Sequence, residues 1–113
     1  MSKIAFIFVL FLSIIFCSTV FAQTKNLSGY IYSLDAGWIS LNCENTNSCD
    51  NIKYEVSGED KLSGYGYSQE AGWVNFNPNF GGAEINSSSK ISGWVYSEKN
   101  GWIKLDNNKV FSN

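Results

Sequence analysis

An internal repeat restricts the fold of this 113-residue chain more than any other feature. LSGYIYSLDAGWISLN (Leu27–Asn42), LSGYGYSQEAGWVNFN (Leu62–Asn77) and ISGWVYSEKNGWIKLD (Ile91–Asp106) carry Ser, Gly, Tyr, Ser, Gly and Trp at matching places. Units this short cannot bury an apolar face alone, so each has to pack against its neighbours. The copies start 35 and then 29 residues apart. The longer interval holds Cys43 and Cys49 where the shorter one has Pro78-Asn79-Phe80-Gly81. Downstream, Glu55-Val56 aligns with Glu84-Ile85, and Lys61-Leu62 with Lys90-Ile91.

Each unit reads as a β-hairpin. Residues 30–33 and 38–42 are largely β-branched or aromatic with period-two alternation. Asp35-Ala36-Gly37, Glu70-Ala71-Gly72 and Lys99-Asn100-Gly101 lie at the bends, where a glycine supplies the positive φ of a hairpin loop. A third strand is expected at Ile52–Ser57 and Gly82–Asn86, with Val110-Phe111 as its shortened form. The expectation is an all-β domain of about nine strands with repeats at 27–61, 62–90 and 91–113. The units either close into a small barrel or prism or stack as a short solenoid.

The N-terminus has the layout of a secretory leader: Lys3, an uncharged run over Ile4–Phe16, then small residues at Val20 and Ala22. Cleavage is expected after Ala22, leaving residues 23–113 as a single domain. A retained anchor over Ile4–Ala22 is the competing reading, since that length just spans a bilayer. A lipid anchor at Cys17 fits less well, because the bulky Phe16 precedes it. Every version exports residues 23–113 to the periplasm, the surface or the medium, with no membrane contact once the leader is removed. Cys43 and Cys49 are then the remaining thiols, and in an oxidising compartment they read as a disulfide closing a short loop. A structural zinc site needs four N or S ligands. The chain has no His to complete one.

Charge narrows the function classes. The formal net charge is −2, or −3 without Lys3, and every basic residue is Lys. Nucleic-acid binding requires a cationic stripe that displaces counterions, and no such stripe is present. Catalysis is not expected either, and no cofactor or metal is called for. The slot of Asp35 holds Glu70 and then Lys99, so no carboxylate is kept at that place in all three copies. A glycosidase pair built on Glu55 and Glu84 is the one catalytic alternative.

Alternation gives each hairpin two faces. Leu27, Ile31, Ile39 and Leu41 share one. Tyr30, Tyr32 and Trp38 share the other, repeated as Tyr65, Tyr67 and Trp73 and as Trp94, Tyr96 and Trp102. Two readings of these nine rings stand side by side. They pack between neighbouring hairpins as a second core layer, since so many bare rings exceed the apolar patch a soluble monomer usually tolerates. Alternatively they form a platform on which sugars stack or quaternary ammonium groups are caged. The polar neighbours Ser40/Asn42, Asn75/Asn77 and Lys104/Asp106 favour a wet site.

At these hairpins the chain resembles the Gly-Tyr-x-Tyr/Trp-Ser-x-x-x-Gly-Trp-Ile-x-Phe/Leu-Asn repeats of predicted secreted bacterial proteins. The resemblance covers most of the exported part and implies export and repetition rather than a particular chemistry. More loosely, the units are similar to the choline- and glucan-binding hairpin repeats of surface proteins, whose aromatics hold a ligand between adjacent units. The repeat here is longer than theirs. Together these readings point to a secreted, non-enzymatic module that binds cell-surface or wall carbohydrate. The alternative is a structural or adhesive envelope protein that meets partners or copies of itself.

Overall fold

The structure, a computed structural model, describes residues 25–112. The expected leader Met1–Ala22, its cleavage point and Cys17 lie outside the described residues.

The described residues are all-β. Strands β1 (Tyr30–Ser33), β2 (Gly37–Ser40), β3 (Val56–Ser57), β4 (Ser63–Ser68), β5 (Gly72–Asn75), β6 (Gly82–Ile85), β7 (Lys90–Ser97) and β8 (Gly101–Lys109) form one antiparallel sheet. Its path runs β1-β2-β4-β5-β7, with β8 and β6 both on β7 and β3 on β4. The chain then returns to its start. Tyr30 and Phe111 exchange N–H···O bonds of 2.8 and 2.7 Å, and Asn108 Nδ2 donates to the Tyr32 carbonyl at 2.6 Å. These contacts bring β8 against β1 and nearly close the sheet into a barrel, which removes most of the exposed edge. The arrangement is a nearly closed, barrel-like sheet and not an open solenoid.

The expected hairpins appear as β1–β2, β4–β5 and β7–β8. Each has a three-residue loop closed by a Ser–Gly pair: Ser33↔Gly37, Ser68↔Gly72 and Ser97↔Gly101. The closing glycines take φ of 70°, 74° and 77°. The recurring serine has a structural task. Ser33, Ser68 and Ser97 are all buried, and their hydroxyls accept loop N–H groups from Asp35, from Glu70 and Ala71, and from Asn100. The loops also meet one another. Ser68 Oγ donates to the Ala36 carbonyl, Lys99 N–H to the Ala71 carbonyl and Asn100 Nδ2 to the Asp35 carbonyl. Ala36 and Ala71 are therefore buried although they sit in turns.

Both strands of a hairpin share the same parity, because Ile31 pairs with Ile39, Gly66 with Val74 and Val95 with Ile103. The inward side chains form the core: Ile31, Ile39, Leu41, Val56, Leu62, Val74, Phe76, Ile91, Val95, Ile103 and Leu105 are each at most 2 % exposed.

Three expectations change. Among the described residues there are eight strands, since Val110-Phe111 makes only the isolated bridge to Tyr30. The strand expected at Ile52–Ser57 shrinks to Val56–Ser57, because Ile52 is drawn into the preceding loop by its N–H bond to the Ser48 carbonyl. The third strands also register two residues away from the sequence alignment. Val56 faces Gly64 while Ala83 faces Gly93. A slip of two preserves which face each side chain takes, so the core tolerates it.

The Cys43–Cys49 disulfide is present and closes the loop that begins with the 3-10 turn Cys43–Thr46. Asn45 at its tip donates to the Gly29 carbonyl and to Ser40 Oγ at 3.1 Å, and accepts from Gly29 N–H at 3.3 Å. Tyr30 Oη donates to the Asn45 carbonyl at 2.9 Å. The insertion is thus a clamp over β1 and β2. Replacing both cysteines with serine is expected to cost about 2 kcal/mol from the loop-closure entropy returned to the unfolded chain. Urea unfolding of the two proteins in parallel measures it.

Candidate functional site

The nine rings line the outer wall of the barrel, and none of them is buried. Trp38 (53 %), Tyr65 (49 %), Tyr32 (47 %), Trp94 (46 %), Tyr96 (46 %) and Trp102 (45 %) are exposed. Tyr30, Tyr67 and Trp73 are half-buried. A closed second core layer is therefore absent from this wall, although the rings do support one another.

The support follows from register. Tyr32 stands opposite Trp38, Tyr67 opposite Trp73 and Tyr96 opposite Trp102. Directly opposed side chains lie close enough to touch. The three pairs meet edge to face with centroids 5.1, 5.0 and 5.2 Å apart. Such a contact adds about 0.5–1.5 kcal/mol beyond area burial and occupies at most one face of one ring. Flat surface is left over for something else.

Three of the four indoles also rest on other parts of the chain. Trp38 meets Phe111 at 5.4 Å and Tyr30 at 6.3 Å, and Trp73 meets Tyr54 at 5.2 Å. Trp102 covers Gly81, where an added Cβ would come within 2.7 Å of its ring. Tyr54 and Phe111 were absent from the set expected from sequence. They fall outside the repeated hairpin, and the available signal was only an aromatic residue in or beside each expected third strand.

The wall is not uniform. Between the first hairpin and the second lies a groove of about 340 Å3 walled by Tyr30, Tyr32, Trp38 and Tyr67, with Ser40, Thr46, Gln69 and Glu70 among its polar lining. A shallower hollow of about 290 Å3 is lined by Ile52, Lys53, Tyr54, Tyr65 and Trp73. The third hairpin presents Trp94, Tyr96 and Trp102 on its outer face. A further concavity of about 500 Å3, bordered by Lys25, Glu59, Asp60 and Asn86, has no ring in its wall.

Of the polar neighbours expected to be wet, Ser40 and Asn42 turn out to be buried. The disulfide loop and Tyr54 cover them: Ser40 Oγ donates to the Asn42 carbonyl at 3.0 Å and accepts from Tyr54 Oη at 2.9 Å. Asn75 is half-buried, and Asn77, Lys104 and Asp106 are exposed. Glu55 and Glu84, the carboxylates weighed as a catalytic pair, border neither aromatic hollow. The backbone of Glu55 pairs with that of Asn42, whereas the backbone of Glu84 pairs with that of Lys61. Among the described residues, no three Cys, Asp or Glu side chains gather where they could hold a metal ion.

No family model, curated protein or solved structure matches this chain.

Proposed function

We propose that residues 23–113 are an exported, non-enzymatic binding module in which three copies of one hairpin hold aromatic rings outward to cell-surface or wall carbohydrate. The observation that carries this reading is the groove beside Trp38. Four rings line it, Tyr32 and Trp38 exposed and Tyr30 and Tyr67 half-buried, together with hydroxyl, amide and carboxylate groups. Sugars offer an apolar face bordered by hydroxyls, which suits a site of flat rings and a few polar groups. Exposing so many rings is costly for a small soluble domain, and a ligand that covers them accounts for it. The disulfide loop supports the same reading, because it fixes Tyr30 and Thr46 at the edge of the groove through Asn45.

Titrating the domain with a panel of soluble glycans, followed by tryptophan fluorescence, tests the proposal. Trp38→Ala is expected to weaken binding of a responding glycan by about tenfold or more, equivalent to ~1.4 kcal/mol of lost contact. Trp38→Phe should recover part of it. Unchanged affinity in Trp38→Ala, with the fold intact by circular dichroism, would remove the groove from the account.

A structural or adhesive role among envelope proteins is favoured by a separate observation. Leu34 (95 % exposed) and Phe80 (101 %) project from loops outside both aromatic hollows. Sedimentation velocity over a concentration series distinguishes this reading, since it requires self-association that Leu34→Ser and Phe80→Ser abolish.

A further inference from the structure

We infer that the groove beside Trp38 selects sugars bearing a free, protonated amino group, a narrowing that rests on the carbohydrate reading above. The deciding residue is Glu70. Its carboxylate lies along Gly37, where an added Cβ would stand 3.2 and 3.6 Å from the two oxygens, at the lip of the ring-lined groove. Among the described residues neither oxygen has a hydrogen-bond or ion-pair partner, and only the Glu70 backbone is engaged, donating to Ser68 Oγ at 3.2 Å.

The comparison with Glu98 is instructive. That side chain lies in the same way over Gly72 in the next hairpin, but its Oε2 accepts the Trp73 N–H at 3.3 Å. The second aromatic hollow has Lys53 in its wall and no carboxylate. The groove at Trp38 therefore combines four rings with an uncompensated anion and no lining cation. Ring faces carry the negative end of their quadrupole and attract cations, and a carboxylate at the rim adds to the same field. A neutral sugar can stack on the rings but leaves Glu70 unanswered, and a uronic acid is repelled by it. An amino sugar satisfies both features at once.

The test compares chito-oligosaccharides of equal length, fully N-acetylated against fully deacetylated, by titration calorimetry with the amine protonated. The deacetylated oligomer should bind about fivefold to tenfold more tightly at low salt, a ratio that falls as salt screens an open site. Glu70→Gln should bring the two affinities together by weakening the deacetylated oligomer more than the acetylated one. Its side chain is exposed, so the fold is not at stake. Glu98→Gln removes the same unit of charge and should leave the ratio intact, which separates a local effect from the general acidity of the domain. A ratio of one in the unaltered protein, or the same ratio in Glu70→Gln, overturns the inference. Binding of acetylated and neutral oligomers without any amine preference sinks this inference alone, whereas binding of none sinks the carbohydrate reading with it.

Discussion

Alanine at position 64 is expected to destabilise the domain by about 3–5 kcal/mol, a large part of the roughly 5–15 kcal/mol available to a protein of this kind. Two effects combine. Gly64 has φ of 95°, a region that costs a residue with a Cβ about 1–3 kcal/mol. The new Cβ would also lie 2.1 Å from the Glu55 carbonyl oxygen, far inside contact distance. That oxygen cannot retreat freely, because it accepts the Tyr65 N–H at 3.2 Å where the strand preceding β4 crosses it. Gly29 and Gly93 stand in the same relation to the carbonyls of Phe111 and Gly82. Gly101→Ala is the informative control. Its φ of 77° is just as unfavourable for alanine, but an added Cβ there meets nothing within 4 Å. It should cost only about 1–2 kcal/mol. Chemical denaturation of the two variants gives the comparison, and equal losses would mean that the crossing strands yield easily.

Phe76→Ala is the second large effect, expected at about 3–5 kcal/mol. Phe76 is wholly buried at the position that Leu41 and Leu105 hold in the other hairpins. The larger ring is explained by its neighbour across the hairpin. Where the first and third hairpins place Ile31 and Val95 inward, the second has Gly66, and the Phe76 ring lies over it, 3.1 Å from where a Cβ would be. The small residue and the large one compensate each other in volume, as a close-packed interior demands. Phe76→Leu makes the second hairpin resemble its neighbours at one position only. It should still cost about 1–2 kcal/mol, because Gly66 cannot fill the gap. Thermal unfolding reads both variants, and a Phe76→Leu protein as stable as the parent would show that the core relaxes around the void.

Much of this organisation was legible before any coordinates. Gly37, Gly72 and Gly101 marked the bends because only a residue without a Cβ enters positive φ at little cost. The inward Ile39, Val74 and Ile103 were visible through alternation, which is a local property of a strand. Cys43 and Cys49 were paired by proximity and by the expected compartment. The recurring serines were equally visible, but nothing local distinguishes an exposed hydroxyl from one that caps a buried turn, as Ser33, Ser68 and Ser97 do.

The chain alone determined the hairpins, their two faces and the stapled loop, since each depends on contacts between residues near in sequence. Whether the rings were core or surface was not determined in that way. It depended on how the sheet curls, and closure was decided by distant partners: Phe111 against Tyr30, Tyr54 against Trp73 and the loops of three hairpins against one another. Curling one side of the ribbon inward uses up the aliphatic face and turns the aromatic face out. The pairing of β2 with β4 sets Glu70 beside the rings of the first hairpin, a juxtaposition that no spacing along the chain encodes.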